Sequence, residues 1–134
     1  MRLTLSRGLL AHHSVSRLVL HALMAAMVSG ALLVILRSSF SLATASGLYL
    51  VILSAVTAHF AALHARQPGA EEPLITALTF TAVAGGVDLA MATIARGQLD
   101  LVHPVVGFGV PLIFVFGVTG LTAEVVPMLR RNRS

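Results

Sequence analysis

The chain has no cysteine, no tryptophan and no lysine, one tyrosine, and charged residues at only 10% of its 134 positions. Each scarcity removes a class of protein. Without cysteine there is no disulfide framework, no thiolate nucleophile and no Cys-ligated metal cluster. With one aromatic hydroxyl and no indole, any aromatic belt at a membrane interface is thin. Soluble domains carry about 25% charged residues, so a chain with 10% has too little charge to cover a water-facing surface. Sequence signatures are missing too. The chain contains no P-loop, no dinucleotide fingerprint, no HExxH and no GxSxG, so nothing in it supports an enzyme.

What fills the chain instead is apolar: 57% of residues are hydrophobic. So much apolar surface is expected to take the bilayer as its solvent. A stretch of about 20 apolar residues crosses a hydrocarbon core, and four stretches qualify: Leu18–Leu36, Leu42–Leu63, Leu74–Ala95 and Val105–Met128. Arg37-Ser38-Ser39 ends the first, the polar run from His64 to Pro73 (HARQPGAEEP) separates the middle two, and Arg96 to Pro104 (RGQLDLVHP) separates the last two. The expected fold is all-α, an integral membrane bundle of four transmembrane helices over residues 18–128. Residues 1–17 are either an interfacial helix or a simple extension of the first span, and 129–134 form a basic tail. A signal-peptide reading, with Ala43-Thr44-Ala45 as the small-residue site, is disfavoured by the length of the apolar run and by Arg37 before it.

All nine basic residues are arginine. They sit at span ends with no interleaved aromatic stripe, so the net charge of +4 is not a nucleic-acid footprint. Arg2, Arg7, Arg17, Arg66, Arg130, Arg131 and Arg133 fall on one side of a four-span chain, and Arg37 and Arg96 on the other. Cytoplasmic loops carry the arginine excess, so the expected location is the inner (plasma) membrane with both termini cytoplasmic.

Small residues let helices approach closely in lipid. The third stretch has two small faces, Thr79, Gly86 and Thr93 on one and Thr81, Gly85, Asp88 and Ala92 on the other, which predicts a helix surrounded by protein. Gly117 and Gly120 share a face with Glu124 in the fourth stretch. Pro111, placed inside that stretch, is expected to kink it. Gly85, Gly86, Gly117 and Gly120 are the candidate helix-packing positions.

Ionisable residues at membrane depth are functional candidates by default. Asp88 is the deepest, and with Glu124 it is the candidate for a proton or cation path. His21, His59 and Glu124 lie at similar depth, each near the cytoplasmic end of its stretch. Interfacial hydrogen bonding accounts for them most simply. A haem b held by His21 and His59 and a His–Glu proton relay are the sharper alternatives. His12, His13, His64 and His103 fall in flanks and loops, where a solvated role is expected. Arg17-Leu-Val-Leu-His21, followed by Gly30, resembles the first haem-bearing helix of bacterial cytochrome b561-type proteins over that one span. Ala22 stands where those proteins carry Trp, and the other spans lack their His pattern, so no family is assigned on it. The reading that needs least is an accessory or structural subunit of a larger membrane complex, partnered by the lipid bilayer and by other membrane subunits or its own copies. An oligomeric transporter or channel and a haem electron carrier are the alternatives.

Overall fold

The computed structural model describes residues 2–94 and 109–133, with side chains described for 13–41, 43–90 and 109–133. Among the described residues it is all-helical: α1 is Arg2–Ser39, α2 Leu42–Ala65, α3 Pro73–Ile94 and α4 Val110–Arg131. All four are long and apolar enough to cross a membrane, by length and composition.

The helix ends follow from local chemistry. Ser41 caps α2, its side chain accepting from the Thr44 N–H, a common way to satisfy one of the donors a helix start leaves open. The α1–α2 turn is correspondingly tight, two residues long. α2 stops before Pro68 and Gly69, and Gly69 takes a φ of 75°, a left-handed conformation that costs glycine little. α3 starts on Pro73, whose fixed φ suits the first helical position and whose missing N–H would have been unbonded there anyway.

Of the two readings of residues 1–17, the structure has the extension of the first span: α1 runs unbroken from Arg2 to Ser39. At 1.5 Å per residue its 38 residues extend about 57 Å, well beyond the ~30 Å of a hydrocarbon core. α4 is described from Val110, so Pro111 stands in the first turn described, and residues 95–108, on which the expected kink depends, lie outside the described residues. The proline inside α4 is Pro127.

α1 packs on α2 and α3, and α4 packs on α2 and α3. Around the bundle the order is therefore α1–α2–α4–α3, with α2 and α3 facing each other across a diagonal. Their connection, residues 66–72, must cross the end of the bundle instead of following its edge. The core is built at helical spacing. Leu18, Ala22, Ala25, Ser29 and Leu36 are buried on α1, Ala45, Tyr49, Leu53, Thr57, Ala61 and His64 on α2, and Pro111, Val115, Thr119 and Ala123 on α4. Many of these are Ala, Ser or Thr, the small side chains that permit close helix approach. Of the residues in each candidate span's most apolar window, only 17–22% are buried, so most of each window is not enclosed by the rest of the bundle.

Candidate functional site

The end of the bundle that carries the termini is held by a polar cluster on three segments. His64, in the last turn of α2, is 1% exposed. Its Nε2 donates to Glu71 Oε2 at 2.7 Å. Glu71 belongs to the loop that crosses the bundle end. The Ser14 hydroxyl, on α1, lies 2.5 Å from Glu71 Oε1 and 3.0 Å from the Gly69 carbonyl, positioned to donate to either. Burial alone would raise the pKa of Glu71. The Ser14 hydroxyl, the residue's own backbone N–H and His64 together outweigh it and hold the carboxyl below its ordinary value of 4.5. One carboxylate thus joins α1, α2 and the connection between α2 and α3.

His21 adjoins the cluster from α1. A carbonyl can only accept, so its Nδ1 carries the proton and donates to Arg17 O at 2.7 Å. Its ring stands edge-on to that of His64, centroids 5.7 Å apart at 62°, and also meets Phe60 at 6.5 Å. Outside the cluster, the Arg130 guanidinium donates to the Arg66 carbonyl at 3.3 Å. The start of α1, the 66–72 loop and the end of α4 therefore share one side of the molecule.

At the opposite end Asp88 is half-buried on α3. Tyr49, on α2, is buried.

The other sequence-derived candidates are distributed as follows. His59 is exposed on α2, with its ring against Phe60 at 5.6 Å. His21 is thus brought to His64. Glu124 is exposed on α4. The four candidate glycines divide into two kinds. A Cβ on Gly85 would touch both methyls of Leu112 at 3.6 Å, and one on Gly120 would touch Ala77 at 3.8 Å, so these two line the α3–α4 contact. Gly86 and Gly117 have nothing within 4 Å of that position and are exposed. The face of α3 that carries Gly86 is therefore open within this chain, not enclosed by it. The Thr93 and His12 side chains and all of His103 lie outside the described residues.

The expectation of a solvated His64 is corrected: the crossing loop covers it, and Glu71 binds it. Nor did the sequence reading single out Ser14, Glu71 or Tyr49. The available signal was a carboxylate seven residues after a helix-ending His, across a Pro-Gly turn. Among the described residues, no three His, Asp or Glu side chains come together as metal ligands would.

Compared with family models, curated proteins and solved structures, the chain matches none. What it does must be argued from its own residues.

Proposed function

We propose that the chain is a multi-pass subunit of a larger assembly in the inner (plasma) membrane, with both termini cytoplasmic, and that it acts through helix–helix contact. The observation that carries this reading is the outward row of α3. Ala82, Gly86 and Ala90 are all exposed at successive four-residue steps, a small-xxx-small-xxx-small pattern along one helix face. By contrast the exposed face of α1 bears Leu20, Met24, Met27, Val34 and Ile35, a surface suited to acyl chains. Lateral association in lipid has no hydrophobic driving force and depends on close backbone approach, which the row on α3 permits and the face on α1 does not. The side that gathers both termini and the middle loop also holds seven of the nine arginines, in keeping with a cytoplasmic placement.

Purification in a mild detergent tests this. The expected result is co-purification in stoichiometric amount with other membrane chains, lost in Gly86→Leu while helix content is kept. A stand-alone oligomer that moves protons or cations and fails in Asp88→Asn would replace it with the transporter reading. A haem Soret band lost on replacing His21 would replace it with the electron carrier.

A further inference from the structure

We propose that the half of the bundle nearer the termini encloses a file of bound water, leading from His64 to the hydroxyls of Thr119 and Ser29 near mid-bundle. Among the described residues, four buried polar atoms lack a hydrogen-bond partner: Gln67 Oε1, His64 Nδ1, Thr119 Oγ1 and Ser29 Oγ. Ser29, His64 and Thr119 are each at most 1% exposed. Buried polar groups are nearly always paired, and where protein does not pair them an ordered water commonly does.

The two hydroxyls have declined the bond most available to them. A helical Ser or Thr can donate to the carbonyl one turn back, and Ser54, Thr76, Thr79, Thr81 and Thr122 all do so. Ser29 and Thr119 do not. Both residues are buried, and they stand on helices, α1 and α4, that lie diagonally across the bundle from each other.

Depth places these atoms in sequence, at about 1.5 Å per helical residue. Ser29 is eight residues beyond His21, whose ring touches His64, so it lies about 12 Å above the histidine pair. Thr57, also buried, is seven residues from His64 on α2, about 10 Å up. Thr119 is set through its neighbour Gly120, which faces Ala77. Ala77 is four residues past Pro73, where α3 starts, and Glu71, two positions before that start, bonds His64. That leaves Thr119 about 6 Å above the histidine pair. The polar atoms therefore rise in steps from Gln67 and His64 through Thr119 to the layer of Thr57 and Ser29. Leu33, Leu53 and Ala84 lie beyond that layer, in an apolar cluster that also runs alongside the file with Ala22, Ala25, Ala61 and Phe80. The file is thus a half-channel: it brings water, and protons with it, from the termini side to the bundle centre and no further.

The absence of cysteine makes the test clean, because a single introduced thiol supplies the whole S–H stretching band. Ser29→Cys, Thr119→Cys and Leu53→Cys are prepared in the full chain in lipid vesicles, and conversion of S–H to S–D is followed by infrared spectroscopy after transfer to D₂O. The expected result is exchange at positions 29 and 119 at least about ten-fold faster than at 53. Equal rates at all three positions, fast or slow, overturn the proposal, and so does fast exchange at only one of the two file positions. Thr119→Val gives an independent reading. If the hydroxyl is hydrated, its loss raises the unfolding equilibrium constant by about ten-fold. If it is a bare orphan, the isosteric valine leaves that constant unchanged or lowers it, and the proposal fails.

Discussion

Removing the Glu71 carboxylate should release the loop that crosses the bundle end. Glu71→Ala deletes two charge-assisted hydrogen bonds, to Ser14 Oγ and to His64 Nε2. Such bonds contribute about 1.5–3 kcal/mol each. They share one carboxylate and are not additive, and Ser14 keeps its approach to the Gly69 carbonyl. His64 fares worse, because the bond from Nε2 to Glu71 is the one its buried ring makes to protein among the described residues. A loss of about 2–4 kcal/mol in local stability follows, which raises the opening constant of the loop by roughly thirty-fold to several hundred-fold. Amide hydrogen exchange reads this directly. The N–H groups of Arg66 and Gln67 are bonded to the carbonyls of Ala62 and His64, and both should lose protection by that factor while amides in mid-helix keep theirs. Acid should do the same to the unaltered chain. The folded pKa of Glu71 is held below its ordinary 4.5, so its contribution is complete above that value and disappears as pH falls through the folded value. Loop amides should therefore lose protection only below about pH 4.5, after correction for intrinsic exchange. A change of less than about three-fold in Glu71→Ala would refute the reasoning, since it would mean that the loop is held by packing and not by this carboxylate.

Three further outcomes follow. Gly85→Leu should destabilise the fold by about 1–3 kcal/mol through overpacking against Leu112, whereas Gly86→Leu should leave monomer stability within about 0.5 kcal/mol; equal losses in a denaturing-detergent titration would contradict the division of the two glycines. Single thiols at Ser38 and Glu72, both exposed, should label from opposite sides of a sealed vesicle, with Glu72→Cys on the cytoplasmic side; labelling of both from one side would mean a span was miscounted. Arg130→Ala removes an exposed 3.3 Å hydrogen bond to the Arg66 carbonyl and should change stability by no more than about 0.5 kcal/mol, measured in the same titration.

The helices were legible because composition and length speak for themselves in a chain this apolar. Leu18–Leu36, Leu42–Leu63 and Leu74–Ala95 correspond to α1, α2 and α3 within a few residues, apart from the long extension of α1 toward Arg2. Hydropathy could not show that extension, because a helix leaving an apolar stretch need not change its backbone where its side chains become polar.

The site was harder to read, because it depends on which helices are neighbours. Adjacent helices in sequence would suggest the ring α1–α2–α3–α4, in which a short loop between α2 and α3 skirts the bundle edge and leaves His64 wet. With α2 and α3 on a diagonal, the same seven residues cross the bundle end. His64 is then covered, and Glu71 is carried to within reach of both α1 and α2. Nothing local distinguishes the two arrangements, since HARQPGAEEP turns the chain in either. The depth of an ionisable residue can be counted along a helix, but its partner is set by helix order. For that reason His21, His59 and Glu124, grouped by depth alone, separate in the structure. His21 joins a cluster with residues from a flank and a loop, while His59 and Glu124 face outward, where a neighbouring subunit or the lipid interface must accommodate them.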